Sequence, residues 1–459
     1  MRWPDVATVA GGPGRAAIAR LLLRMVAARL GIAVRLPDSR LAAPVPQQSA
    51  RHHPAAQPAM VLHRPGDFFR RVGAAGLIGF GESYMAGDWD CDDLPGLLTV
   101  MAGQVDRLVP RWLQWLRGLY VARPPAGWDA DQAGARRNVH RHYDLSNDMF
   151  ALFLDETMTY SAALFESGED GAPVPPGRDS GLAAGCLATA QRRKIGRLLD
   201  LAGVGPGCRV LEIGTGWGEL AIQAAARGAD VRTVTVSAQQ QALARHRIAA
   251  ARLSDRVSVE LRDYREVAGR FDAILSVEMI EAVAERYWPE YFRLLDRLLA
   301  PGGRIGLQAI TMPHHRMLAT RRTQTWILKY IFPGGQIPSV TAIEDNLREH
   351  TTLEITGRHD FGDHYAQTLA IWRNRFNAAT GDLDRLGFDE AFRRMWNLYL
   401  CYSEAGFRSG YLQVSQFLLT RAVAAPGPAA RLADTQHRAS PADRPGTAAG
   451  EGPDTEVAA

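Results

Sequence analysis

Near the middle of the chain, the run Val210-Leu-Glu-Ile-Gly-Thr-Gly-Trp-Gly-Glu-Leu220 leaves few folds open. An apolar strand ends at Glu212, turns through Gly214, Gly216 and Gly218, and enters a helix at Leu220. Glycine has no Cβ, so this turn lets the backbone pass close to a ligand. Such a turn belongs at the carboxyl end of the first strand of an open α/β sheet, where nucleotides bind. Two ligands compete for it. A dinucleotide site spaces its glycines G-x-G-x-x-G and aims a helix N-terminus at a pyrophosphate. Here the spacing is G-x-G-x-G, with an acid just before it. S-adenosylmethionine has no phosphate and carries a positive sulfonium, which a carboxylate favours. The loop is therefore read as a site for that cofactor, built from Glu212, Gly214, Thr215, Gly216, Trp217 and Gly218.

The flanking sequence extends the pattern. Arg209–Ile213, Val231–Val236, Ala273–Val277 and Arg304–Ala309 read as strands alternating with helical stretches. That is the signature of an α/β fold with a doubly wound, Rossmann-like parallel sheet. The second strand ends Thr235-Val-Ser-Ala-Gln-Gln240, where many nucleotide folds place an acid for the ribose hydroxyls. Thr235, Ser237 and Gln240, with Val236 among them, offer neutral hydrogen bonds instead. Asp263-Tyr264 reads as an adenine contact, the carboxylate accepting from the amino group and the ring stacking. Glu278 and Glu281 follow the fourth strand, three residues apart and on one face if a helix begins there. Both lie at the sheet edge where ligands bind, and the plain reading of either is a solvated acid in a helix's first turn.

Composition sets the organisation. Residues 1–60 read as an N-terminal helix and a linker, 61–130 as a small N-terminal domain, 131–422 as the α/β domain, and 423–459 as a disordered tail with almost no large apolar residue. The linker signal lies in the Pro-, Ala-, Gln- and His-rich residues 36–60. Trp112 and Trp115 fall in the small domain, and Pro124, Pro125 and Gly127 mark its end. A net charge of +4 gives no nucleic-acid signal. Cys91, Cys186, Cys208 and Cys401 form no CxxC pair, which points away from a metal site or disulfide framework and towards a reducing cytoplasm. The apolar stretch Ala16–Val34 is interrupted by Arg20, Arg24 and Arg29, so it does not read as a membrane span. It reads as an amphipathic helix, packed on its own domain or resting on the inner face of an anionic membrane.

Several motifs in order then resemble the cyclopropane fatty acid synthase family across residues 61–421. They are Asn138-Val-His-Arg-His-Tyr-Asp-Leu-Ser-Asn-Asp148, Leu154-Asp-Glu-Thr-Met-Thr-Tyr-Ser161, Tyr330-Ile-Phe-Pro-Gly-Gly335, His364-Tyr-Ala366 and Glu404-Ala-Gly-Phe-Arg408. Gly76–Gly87, Ser276-Val-Glu-Met-Ile-Glu-Ala-Val283, Gln308–Arg316 and Arg2-Trp-Pro4 resemble the branch that makes 10-methyl branched acids, the tuberculostearic acid methyltransferases. The resemblance implies a class I methyltransferase sheet with a smaller N-terminal domain. It implies that Tyr160 and Ser161 touch S-adenosylmethionine, together with the glycine loop, Thr235 and Gln240. It also implies a bound bicarbonate as base, with Glu281 and Tyr365 among its ligands and a backbone contact at Ile310. The chain departs from the family where Ala162, Ala282, Gln308 and Ser403 replace cysteine, histidine, histidine and cysteine. Ala162 keeps a backbone N–H, whereas Gln308 hydrogen-bonds but carries no proton at neutral pH.

The implied reaction adds a one-carbon unit to the double bond of an unsaturated acyl chain. An isolated alkene is a poor nucleophile, so the protein must align it with the C–S axis and exclude water from the resulting cation. Prompt proton loss closes a cyclopropane. A hydride shift followed by proton loss leaves an exocyclic methylene, which a separate reductase using NADPH or flavin would convert to a methyl branch. Arg316, Arg321, Arg322 and Lys329, with Trp326, Ile327 and Leu328 among them, read as a seat for a lipid headgroup or as a solvated basic face. Two rival readings are a methyltransferase fold retained as a lipid-binding module and, against the glycine spacing, a nicotinamide dehydrogenase.

Overall fold

The computed structural model of the protein describes residues 3–37, 58–104, 146–168, 173 and 183–422. The linker core at 38–57, Trp112 and Trp115, the boundary at Pro124–Gly127, the Asn138–Leu145 part of the first motif, Arg2, and the tail from 423 lie outside the described residues. Met1–Arg421 forms one compact unit.

Its centre is a seven-stranded sheet. The strands are β4 (Arg209–Ile213), β5 (Asp230–Thr235), β6 (Val257–Leu261), β7 (Phe271–Val277), β8 (Leu299–Thr311), β9 (Leu353–Asp360) and β10 (Gln413–Arg421), in the order β6-β5-β4-β7-β8-β10-β9. The first five in this order run parallel, whereas β10 is antiparallel to both β8 and β9. The sheet is therefore not wholly parallel, because β10 enters from the helix Glu390–Arg408 and inserts between its two neighbours. The two faces alternate as strand geometry requires. Val210, Ala273 and Leu275 face the helices Ala183–Leu201, Glu219–Ala226 and Ala238–Ala250, whereas Leu211, Ile213 and Ile274 face the helix Trp288–Leu298. Strand order reverses between β4 and β7, and a crevice at their carboxyl ends is where such sheets hold ligands.

The N-terminal residues build a small sheet of β1 (Ala33–Arg35), β2 (Ala59–Leu62) and β3 (Trp89–Cys91), with the helices Pro65–Ala75 and Leu77–Met85. The run at Gly76–Gly81 is mostly helical, and its glycines serve close packing: a Cβ on Gly81 would lie 2.3 Å from Trp326 Cδ1. Buried Arg71 ties this region together, donating to Asp88 and to the carbonyls of Asp5, Val6 and Thr8. These elements share one apolar cluster with the helices Gly362–Ala378 and Glu390–Arg408.

The N-terminal helix runs Pro13–Leu30 and stops at Gly31, whose φ of 66° suits a glycine C-cap. Ala19 and Ala27 are buried, with Leu23 and Leu30 packed beside them, while Ile18 and Leu21 are 60% exposed and Leu22 is 37% exposed. The leucines at 21 and 22 therefore lie away from the core. No helix among the described residues is long and apolar enough to cross a membrane.

Candidate active site

The glycine loop leaves β4 as the sequence implies. Gly214, Gly216 and Gly218 all have positive φ, at 95°, 52° and 91°. They differ in what surrounds them. A Cβ on Gly218 would meet the Ala244 Cβ at 3.2 Å, so this glycine packs helix against loop, whereas a Cβ on Gly216 would meet nothing within 4 Å. The loop's larger side chains turn inward. Thr215 shares a 2.7 Å hydrogen bond with Thr233, and the Trp217 indole donates to Asn147 and packs 5.1 Å from Phe150. A ligand here meets mainly glycine and backbone, which fits a cofactor held by close approach.

The other expected cofactor residues are already tied to one another. The Thr235 hydroxyl donates to Gln240 at 2.9 Å, and Ser237 caps the following helix, with Val236 half-buried between them. Arg265 grips both carboxylate oxygens of Asp263, at 2.9 and 2.8 Å, so an adenine amino group would use only the lone pairs that remain. The Tyr264 ring meets Tyr291 edge-on at 5.7 Å. Tyr160 stands among Phe150, Phe153 and Trp372, its hydroxyl 2.7 Å from that of Tyr399. Ser161 accepts from Lys194 Nζ at 2.7 Å.

Lys194 has a chemical setting that the sequence reading missed. It is buried on the helix Ala183–Leu201, and burial draws its ammonium down to about 8 against the pull of Glu278, Asp155, Glu212 and Glu219. Gln191 and Lys194 sit in an otherwise apolar stripe with Leu187, Ala190 and Leu198. That pattern was the available signal. Glu212 lies in the field of Lys194; burial pushes its carboxyl up to about 8, and its Oε2 has no hydrogen-bond partner among the described residues.

The residues expected to do chemistry converge at the carboxyl ends of β7 and β8, but around Glu278. Its Oε1 accepts from the Ala162 backbone N–H at 2.9 Å and from Gln308 Nε2 at 2.8 Å; its Oε2 accepts from the Tyr365 hydroxyl at 2.8 Å. No α-helix begins at Glu278–Glu281: Glu278 has φ +49° and Glu281 lies in a 3-10 turn, Ile280–Ala282. Glu278 is half-buried and hydrogen-bonded through both carboxylate oxygens, so it is not a solvated first-turn acid. Glu281 stands apart from this group. Its Oε1 accepts the Ile310 N–H at 2.5 Å and its Oε2 has no partner among the described residues. Burial and the nearby Glu278 charge push its carboxyl up to about 8.

This arrangement does not fit the implied bicarbonate. Ala162, Gln308 and Tyr365 donate to Glu278, and Ile310 donates to Glu281. A further anion would find these donors engaged and would lie against the Glu278 carboxylate. The proposed headgroup seat is also partly spent: Lys329 pairs with Glu82 at 2.6 Å and Asp5 at 2.9 Å, and Arg316 lies over the Tyr411 ring. Aromatic faces line the same region, with Tyr365 4.5 Å from Phe407 and 6.1 Å from Trp372, centroid to centroid.

Residues 130–417 match the family model described as mycolic acid cyclopropane synthetase. The chain is 54% identical over 423 residues to the tuberculostearic acid methyltransferase UfaA1 of Mycobacterium tuberculosis, covering 92% of this chain and 95% of that one. It is 33% identical over 373 residues to the cyclopropane-fatty-acyl-phospholipid synthase of Escherichia coli, covering 80% and 89%. Among solved structures, the mycolic acid cyclopropane synthase CmaA1 complexed with SAH and CTAB matches with a TM-score of 0.54 at 30% identity, over 62% of this chain and 97% of that one.

Proposed function

The chain belongs to the mycolic acid cyclopropane synthetase family, and from that premise we propose the reaction it performs. It is an S-adenosylmethionine-dependent fatty-acyl lipid methyltransferase that acts on the double bond of an unsaturated chain, such as an oleoyl phospholipid, and makes a methylene- or methyl-branched acyl lipid. What carries this reading is the nearly end-to-end similarity to a tuberculostearic acid methyltransferase. The cofactor, when bound, supplies an electrophilic methyl group. The chain's own part is to hold it at the Gly214–Gly218 loop, with Tyr160, Ser161, Thr235 and Asp263 around it. The rings of Tyr365, Trp372 and Phe407 supply aromatic faces to a cationic acyl chain and keep water from it. Removing the last proton leaves an exocyclic methylene. Its reduction to a methyl branch needs a hydride and a proton, and we assign that step to a partner reductase.

We further assign the protein to the inner membrane surface as a peripheral protein. The support is the helix Pro13–Leu30, which exposes Ile18, Leu21 and Leu22 and carries Arg15, Arg20, Arg24 and Arg29 with no acid.

The test is direct. The full chain is incubated with methyl-labelled S-adenosylmethionine and oleoyl phospholipid vesicles, without a reductase, and the acyl chains are analysed as methyl esters by gas chromatography and mass spectrometry. The expected product carries the label in an exocyclic methylene. A labelled cyclopropane would move the chain to the synthase branch. No label in lipid would leave a lipid-binding methyltransferase fold.

A further inference from the structure

Glu278 is held as a working group is held, not as a surface acid. A carboxylate has about four lone-pair sites. Both sites of Oε1 are used, by Ala162 N–H and Gln308 Nε2, while Oε2 takes the Tyr365 hydroxyl and, among the described residues, accepts no second donor. The donor at Gln308 is fixed in direction from behind. Arg197, which can only donate, bonds Gln416 Oε1 at 2.9 Å; Gln416 Nε2 then bonds Gln308 Oε1 at 3.1 Å, which turns the Gln308 amide nitrogen towards Glu278. The backbone is pinned as well, because the Glu278 N–H donates to the Gln308 carbonyl at 2.8 Å. Side chain and main chain are thus both locked to β8.

Tyr365, which the family resemblance assigns to an exchangeable anion, here donates to Glu278, beside Ala162 and Gln308, two positions at which the chain departs from the family. We propose that in this chain the Glu278 carboxylate takes that anion's place and is itself the base of the reaction. The proposal rests on the methyl-transfer reading given above. The step balances as follows. The alkene pair forms the new bond to the methyl carbon, and the S–CH3 pair leaves with sulfur. A hydride then shifts with its electrons to the first cationic carbon. The open lone pair of Glu278 Oε2 takes a proton from the new methyl group, and that C–H pair becomes the second bond of the methylene. The resulting acid proton rests on Oε2, opposite Tyr365. Of the three donors only that hydroxyl can turn and accept, so Tyr365 is the way out for the proton. Burial pushes the Glu278 carboxyl above its ordinary value, against the pull of Ala162, Lys194, Gln308 and Tyr365, which suits a proton acceptor.

The experiment uses the full chain in three forms: parent, Glu278→Gln and Glu278→Gly. The glycine variant relieves the positive φ and frees all three donors, so it tests the site without straining the fold. Each is assayed for methyl transfer to oleoyl phospholipid in carbonate-free buffer and with millimolar bicarbonate, with adenosylhomocysteine affinity measured by calorimetry. Parent turnover is expected to ignore bicarbonate. Glu278→Gln should lose at least about a hundredfold in turnover with cofactor affinity kept. Glu278→Gly should bind isotopically labelled bicarbonate, seen by NMR line broadening absent with the parent, and regain activity with it. A parent that needs bicarbonate, with Glu278→Gln near parental turnover, would overturn the assignment. A parent that transfers no label under any condition would instead refute the methyl-transfer reading itself.

Discussion

Glu278 occupies a backbone region, φ +49°, that costs a non-glycine residue of order 1–3 kcal/mol. Such strain persists only where the surroundings over-determine it, and here four hydrogen bonds do so: one from its own N–H and three to its carboxylate. Gly216 presents the converse case, a positive φ with open space where a side chain would go. Gly216→Val should cost the fold roughly 1–2 kcal/mol through its backbone angle. Its branched side chain would fill space reserved for the cofactor, so adenosylhomocysteine binding should weaken by tenfold or more, about 1.4 kcal/mol. Calorimetry on a variant shown to be folded by circular dichroism checks this. Parental affinity in that variant would place the cofactor elsewhere.

Among the elements, the helix Pro13–Leu30 divides its surface in a way its apolar count does not show. The packed side uses small residues, Ala19 and Ala27, so the helix lies close to its neighbours. Larger apolar residues, Ile18 and Leu21, are left outside on a helix whose charged residues are all arginines. Replacing both Leu21 and Leu22 by Asp should remove binding to anionic vesicles in a flotation assay. Thermal stability should change little, since surface substitutions usually stay within about 0.5 kcal/mol. Unchanged flotation would remove this helix as the membrane contact.

For the whole molecule, the N-terminal segments and the last two long helices share one core. Arg394 reaches from the helix Glu390–Arg408 to the Trp89 carbonyl and to Asp90. The sheet closes at Arg421, the last residue of β10, which pairs with Asp296 at 3.0 Å. Beyond it the sequence carries few large apolar residues, and the expectation from composition is that it adds little to the stability of the fold. A chain ending at Ala425 is therefore expected to keep the parental melting temperature and turnover. A drop in either, by calorimetry or label transfer, would show that the tail docks on the folded part.

The sheet class and the glycine turn after β4 were legible in the sequence because both are local. Short apolar runs mark β4, β5, β7 and β8, and three glycines within five residues mark a turn that only a close ligand or neighbour requires. The antiparallel β10 and the separate strands β6 and β9 were not read, since strand order and direction depend on partners distant in the chain. The same holds for the chemistry. Ala162, Gln308 and Tyr365 were singled out by resemblance, but that all three donate to Glu278 follows from a segment before the sheet, a strand and a late helix meeting at one point. Sequence spacing between Glu278 and Glu281 suggested one helical face. The left-handed turn at Glu278 sends the two carboxylates to different donors, because that backbone angle is held by a hydrogen bond to β8, a contact made only when β7 and β8 lie side by side.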